Sequence, residues 1–242
     1  MKKVAILQSN YIPWKGYFDL IAAVDEFIIY DEVQFTKNDW RNRNMIKTPK
    51  GREWLSIPVG SHISRPIHEV LLNDSKWQIR HWKTLVTNYA RSRHYSEIAT
   101  LLEPVYQSNV YTHLSSLNRD LIILVCSYLG IATTISDSRE FAVSGDRTER
   151  LVRLVQLAGG TEYISGPAAK AYLDATAFEA AGIGLTWFNY DGYPTYPQLW
   201  GNFVHGVSVL DLLFNCGTTS PRYMRHVYAN ARYSNDTGAI HV

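Results

Sequence analysis

The chain has 242 residues, 46% hydrophobic and 19% charged, with 24 basic and 22 acidic side chains for a formal net charge of +2. That length and balance fit a soluble globular chain of one large or two small domains with a substantial core, and exclude the global positive field that drives tight non-specific nucleic-acid binding. Cys126 and Cys216, each among apolar residues, support neither a disulfide framework nor a zinc site. No stretch approaches the roughly 20 apolar residues of a membrane span, and the run before Gln8 is too short for a signal peptide, so a cytoplasmic protein is expected.

In chain order, residues 3–7 form a short apolar run consistent with a buried strand, followed by a loop punctuated by Pro13 and Gly16. Tyr17, Leu20, Ile21 and Val24 recur at helical spacing from Trp14 onward, and residues 26–31 read as a second buried strand. Continuous apolar strands joined by a helix indicate a parallel sheet covered on both faces. Met45-Ile46-Lys47 pairs with Trp54-Leu55-Ser56-Ile57 around the turn 48–51, and the strand 54–59 is expected at an edge because Pro58 cannot donate to a ladder. Helices are expected over about 75–92, 95–108 and 113–129, the last stopped by Gly130. The β-branched run 131–135 then gives a strand, Asp146 and Glu149 have capping-box spacing before a helical stripe, and residues 162–165 and 183–190 give two more strands around a helix that starts at Pro167. The expectation is a single α/β domain over 1–242, Rossmann-like with a mainly parallel sheet, a helical insertion at about 75–129 and an irregular C-terminal segment.

In an open parallel sheet, ligands bind beyond the carboxyl ends of the strands. The residues there are Gln8, Asp31, Ser136 with Asp137, Ser165 with Gly166, and Tyr190 with Asp191; strand ends also turn polar simply on meeting water. The loop after the second strand is the most informative segment. It carries Gln34, Trp40, Arg41, Asn42, Arg43, Asn44 and Lys47: guanidinium forks for carboxylate or phosphate, amides for orientation and an indole for stacking. Such a set suits a polyanionic or sugar-like ligand. Trp77, Arg80, Trp82 and Arg93 resemble a single-strand stacking platform in composition, yet Trp77, Trp82, Leu85 and Tyr89 fit a buried helical stripe better, so no nucleic-acid partner is expected. Histidines are dispersed without metal-ligand spacing, and no metal site is expected. His205 lies between the aromatic turn 193–200 and the apolar stripe 209–213, where it could transfer protons or simply begin a helix.

The segments Gln8-Ser9-Asn10-Tyr11-Ile12-Pro13-Trp14-Lys15-Gly16-Tyr17-Phe18, Tyr30-Asp31-Glu32-Val33-Gln34-Phe35 and Trp40-Arg41-Asn42-Arg43-Asn44 resemble the WbqC-like family. The likeness continues through 54–59, 163–166, 196–198 and 210–217. It implies a role among proteins of bacterial O-antigen and other surface polysaccharides. A fainter likeness is to nucleotidyl transferases of the HUP type, such as pantothenate synthetases. Those enzymes carry His-x-Gly-His where this chain has Trp14-Lys15-Gly16-Tyr17, so both of the histidines used in adenylyl transfer are missing.

Together these features lead to an expected transferase that acylates or aminoacylates an amino sugar, with an activated donor on coenzyme A or an acyl-carrier protein. The alternatives are an ATP-dependent ligase or nucleotidyl transferase, and a non-catalytic nucleotide-sugar binding protein. The partner is a nucleotide-linked sugar or another phosphorylated small molecule, and the stripe 209–213 could serve a homodimer. In the expected site Asp31 is the base, Gln8, Asn42 and Asn44 orient, Arg41 or Arg43 holds the anion and Lys15 takes a phosphate. Tyr11, Trp14, Gln34, Trp40, Ser165, Gly166, Tyr196 and Gln198 complete the lining.

Overall fold

The computed structural model describes residues 1–237 apart from 73, 75 and 109; the expected helix start at 75 and the last five residues of the expected domain lie outside the described residues. In chain order the elements are β1 (Lys3–Leu7), α1 (Lys15–Ala22), β2 (Glu26–Ile29), β3 (Arg43–Thr48), β4 (Gly51–Ser56), α2 (Lys76–Tyr89), α3 (Tyr95–Gln107) and α4 (Leu114–Leu129). They continue as β5 (Thr134–Asp137), α5 (Arg147–Leu157), β6 (Glu162–Ser165), α6 (Ala175–Ala180), β7 (Gly184–Trp187), α7 (Val209–Cys216) and α8 (His226–Thr237).

Five parallel strands lie in the order β5-β2-β1-β6-β7. Ranked by sequence this is 3-2-1-4-5, the Rossmann-like order, and the direction of winding reverses between β1 and β6. Strand alternation sorts the side chains onto two faces. Val4, Ile6, Ile28, Tyr30 and Tyr163 face a core shared with Leu151, Leu154 and Val155 of α5. Ala5, Phe27, Ile29 and Ile164 face a larger core that includes α1, Ile46 and Leu55 of the hairpin, and buried residues of α2, α3, α4 and α7.

The ladder at the reversal is short. β1 and β2 keep register from Val4 opposite Glu26 to Leu7 opposite Ile29, whereas β1 and β6 pair only at Lys3–Glu162 and Val4–Tyr163. The carboxyl ends of β1 and β6 therefore part, which opens a gap where the two halves of the sheet diverge.

Several expected boundaries shift for local reasons. β5 begins at Thr134, not Ile131, because the Ile131 amide donates back to the Cys126 carbonyl at 2.9 Å around left-handed Gly130, closing α4. The hairpin forms its own two-stranded sheet with Met45 opposite Trp54, so Arg43 and Asn44 belong to β3, and Pro58 lies beyond β4. Pro167 starts a 3-10 turn to Ala171 in place of a full helix, and the last sheet strand is only Gly184–Trp187. Of the C-terminal segment expected to be irregular, residues 191–208 carry no helix or strand, whereas α7 and α8 are helical. Val209, Leu210, Leu212, Leu213 and Phe214 of α7 are at most 1% exposed, so that stripe belongs to the core and offers no dimer surface. Among the described residues, no helix is long and apolar enough to cross a membrane.

Candidate functional site

The gap between the ends of β1 and β6 is the mouth of a cavity of about 630 Å³. Gln8, just past β1, continues the Val4–Ile6 face and Ser165 the Tyr163 face of β6, and both line the cavity, with Gly166 following and Glu32 entering from the turn after β2. From the loop after β2 come Gln34, Asp39 and Arg41, and from the first turn of α5 come Arg147 and Arg150.

α5 is aimed here by its own sequence. Asp146 accepts from the Glu149 amide at 2.9 Å, and the Glu149 carboxylate accepts from the Asp146 amide at 3.4 Å, a capping box that fixes the helix start. The turn before it needs glycine: Gly145 has φ +123°, and a Cβ there would lie 2.6 Å from Glu149 Oε2. Arg147 and Arg150, three apart, then share one face of the first turn.

The charges are partly paired. Arg150 Nη2 lies 3.8 Å from Glu32 Oε1 and its guanidinium sits 5.4 Å from the Tyr30 ring centroid. Arg147 stacks at 3.7 Å over Tyr172 and has no acidic partner among the described residues. Arg41 Nη2 donates to Gln8 Oε1 at 3.2 Å and lies 3.8 Å from Asp39 Oδ2, while its Nη1 donates to Asn10 Oδ1. Partial burial pushes the Asp39 carboxyl up, but the Thr36 hydroxyl, Arg41 and the Trp40 amide together hold it below its ordinary range. Three guanidinia, two amides and a helix N-terminus facing one cavity can bind a phosphorylated ligand through bidentate contacts.

Other expected residues stand elsewhere. Asp31, beside Glu32 in the turn after β2, is 0% exposed. Its carboxylate accepts from the Ser9 amide at 2.8 Å, the Ser9 hydroxyl at 2.7 Å and the Ser115 hydroxyl, tying the loop after β1 to α4. Tyr11 is equally enclosed, its hydroxyl 2.8 Å from both His81 Nδ1 and Tyr106 Oη. Burial pushes the His81 imidazole down to about 4, which leaves it neutral near pH 7. Asn42 donates to the Ile57 carbonyl at 2.9 Å, and Asn44 donates to the carbonyls of Tyr11 at 3.1 Å and Ile12 at 3.0 Å. Ile12, at φ +39°, is an unfavourable backbone for a β-branched residue, so Asn44 serves as its clamp.

Lys15 does not line the large cavity. Its ammonium donates to the Pro194 carbonyl at 2.9 Å and lies 5.2 Å, 5.1 Å and 6.0 Å from the rings of Tyr193, Tyr196 and Phe203. Burial pushes it down to about 8 against the opposing field of Asp19. His205 is exposed, edge-on to Phe203 at 4.6 Å, and lowered by partial burial and by Lys15. Tyr196 and Gln198 form a separate buried network: both donate to Asp211 Oδ1, at 2.9 Å and 2.7 Å, and Lys47 donates to Gln198 Oε1 at 2.9 Å. Burial raises Asp211 against the pull of those donors.

Trp14 and Trp40 line a second cavity, of about 470 Å³, together with Asn10, Pro13, Asn44 and Arg52. Arg43 points from β3 onto Trp54, 4.1 Å from its ring centroid. The expected single crevice is thus two cavities that meet at the Arg41–Asn10 contact. The residues missed were Glu32, Asp39, Arg147 and Arg150. The capping box that starts α5 identifies the two arginines, whereas Glu32 lies in a turn after β2 that strand parity does not reach.

The family model described as the WbqC-like protein family matches residues 8–223, a span that contains every lining residue of both cavities except Ile6 and Leu7. A protein of Mycobacterium tuberculosis (strain ATCC 25618 / H37Rv) named "Uncharacterized protein Rv1507c" is 52% identical over 228 residues, covering 93% of this chain and 99% of the relative. No solved structure matches. With the family match running through the loop after β1, the hairpin, β6 and α7, the chain belongs to the WbqC-like protein family.

Proposed function

We propose that the protein is a transferase that binds a nucleotide-linked sugar in the crevice between β1 and β6 and acylates or aminoacylates an amine on it, in the making of a bacterial surface polysaccharide. The observation that carries this reading is the convergence of Arg41, Arg147 and Arg150 on a cavity at the winding reversal of a Rossmann-like sheet. Guanidinium forks match the diphosphate, the start of α5 adds its dipole, and Tyr30 and Tyr172 offer ring faces already stacked by arginine. Family membership supports the biological setting, and the amine acceptor is this reading's own commitment.

In the step proposed, the sugar amine attacks the carbonyl carbon of a thioester donor, on coenzyme A or a carrier protein. A C–N bond forms, the C–S bond breaks, and the amine loses a proton that is returned to the departing thiolate. Glu32 is assigned the base, since its carboxylate lines the crevice, with the Ser138 hydroxyl holding Oε2 at 2.7 Å. Asp31, enclosed behind it, positions the loop that carries Gln8.

The test is calorimetric titration with UDP-, GDP- and dTDP-linked sugars, ATP with magnesium, and coenzyme A, on wild type and on the Arg147→Gln/Arg150→Gln double variant. Nucleotide-sugar binding weakened at least about tenfold in the variant supports the reading. Absence of nucleotide-sugar binding, or indifference to both substitutions, overturns it. Preference for ATP with pyrophosphate release would transfer the site to ligase or nucleotidyl-transferase chemistry.

A further inference from the structure

The cavity between Trp14 and Trp40 has a composition that the crevice reading does not use. Trp40 and Trp54 are each 43% exposed, with ring centroids 5.4 Å apart, and Trp40 forms one wall of the cavity while Trp14 forms another. Trp14 is held by a close approach: its indole folds over Gly16, where a Cβ would stand only 2.3 Å from the ring. Large indoles left in water on the rim of a cavity are a ready stacking surface for the C–H face of a sugar ring.

The polar groups around this cavity are nearly all donors. Asn44 has its amide and carbonyl engaged with Tyr11, Ile12 and Met45, and the Asn10 carbonyl oxygen is taken by Arg41. Among the described residues, no hydrogen bond satisfies the Asn10 amide nitrogen or the indole N–H of Trp14 or Trp40, and none of these is an enclosed orphan atom. Arg52 at the rim, within 3.9 Å of where a Cβ of Gly206 would lie, has no ion pair among the described residues. Free side-chain donors and an unpaired guanidinium, beside side-chain carbonyls that are already engaged, favour a ligand that is rich in oxygen acceptors and carries a negative charge.

We infer that the Trp14–Trp40 cavity is a second ligand site, for a pyranose ring bearing an acidic group, either the carboxylate of a uronic acid or a sugar phosphate. The ring stacks on Trp40, its hydroxyls accept from the Asn10 amide and the indoles, and its anion pairs with Arg52. A volume of about 470 Å³ accommodates one such ring with solvent. The inference rests on this cavity alone and stands whether or not the crevice binds a nucleotide.

Saturation-transfer NMR and calorimetry with glucuronic acid, galacturonic acid, glucose 1-phosphate and N-acetylglucosamine 1-phosphate test it, against glucose, N-acetylglucosamine and inorganic phosphate. At least one acidic sugar is expected to bind about tenfold or more tighter than its neutral parent and than phosphate. Trp40→Ala and Arg52→Gln, both at exposed positions and checked for native circular dichroism, are each expected to weaken it about tenfold, whereas Arg147→Gln is not. Uronic acids and sugar phosphates in separate arms decide which anion is preferred. No acidic-sugar binding at about 10 mM, equal binding of neutral parents, insensitivity to Arg52→Gln, or loss in Arg147→Gln with retention in Trp40→Ala would each overturn the inference.

Discussion

Asp31 provides a sharp test of the distinction between a residue that does chemistry and one that holds the loop beside it. Its carboxylate is fully enclosed and accepts from one amide and two hydroxyls, with no cation within salt-bridge range among the described residues. Hydrogen bonds to a charged group contribute roughly 1.5–3 kcal/mol each, and a buried donor left unpaired costs about 1–3 kcal/mol. The Ser9 hydroxyl oxygen accepts from the Asn118 amide at 3.1 Å, a bond that offers its own O–H no acceptor, so that O–H is left unpaired when the Asp31 carboxylate is removed. With three donors left unpaired, Asp31→Ala is therefore expected to lose at least about 3 kcal/mol, a large part of the 5–15 kcal/mol typical of a domain. Asp31→Asn keeps an acceptor for the Ser9 amide, and both hydroxyls can rotate to accept from the new amide, so the cost falls to about 1–2 kcal/mol. Urea denaturation followed by fluorescence and circular dichroism measures both. A loss below about 1 kcal/mol for Asp31→Ala would refute the positioning role. So would an Asp31→Asn protein of wild-type stability that binds substrate and has no turnover, because that pattern belongs to a base.

Lys15 is expected to titrate near pH 8 by heteronuclear NMR of its ammonium. Because the folded value lies below the unfolded one, this group destabilises most where it is charged in both states, below about pH 8. Its contribution to stability rises as pH climbs from about 8 towards the unfolded value near 10.4, and Lys15→Met should abolish that rise. Gly16→Ala is expected to displace the Trp14 indole and cost about 1–3 kcal/mol by overpacking, read as a lower Tm and a shifted tryptophan emission. Asn44→Ala should release the strained Ile12 turn and leave two carbonyls without their donor, lowering stability by about 1–3 kcal/mol in chemical denaturation. An unchanged midpoint in either variant would contradict the contact that motivates it.

The parallel sheet was legible because its strands are short apolar runs between clear punctuators, whereas the order 3-2-1-4-5 depends on how the helices pack across both faces and was not read from the chain. Parity carries one strand-end residue into the crevice, since Gln8 continues the face of Val4 and Ile6 in β1, but β2 ends at Ile29 and the turn at 31–32, set by tertiary contacts, is what encloses Asp31 and turns Glu32 to the crevice. Other assignments had no local signal. Nothing in Tyr196-Pro197-Gln198 says that its side chains turn inward to Asp211, 13 residues from Gln198, or that Lys15 meets Tyr193 and not a phosphate; long-range packing decides both. The hairpin supplied Arg43 to Trp54 and Asn44 to the Ile12 turn, contacts that depend on register and on where the two-stranded sheet docks.

Arg41 links the two cavities physically. One arm of its guanidinium reaches Gln8 at the crevice, the other reaches Asn10 on the wall of the tryptophan cavity, and its carbonyl accepts from the buried Asn118 amide at 2.9 Å. A phosphate entering the crevice competes for the same fork, and whatever it withdraws from Asn10 frees a carbonyl oxygen in the second cavity. That cavity would then hold one acceptor among its donors, which improves its fit to a sugar hydroxyl while leaving Arg52 to the anion. If both cavities bind as proposed, coupling through this one side chain would be reciprocal, with occupancy of either cavity altering affinity in the other by the same factor. Arg41→Lys, which keeps the charge but loses the planar fork, should bring that factor close to one while each ligand still binds alone.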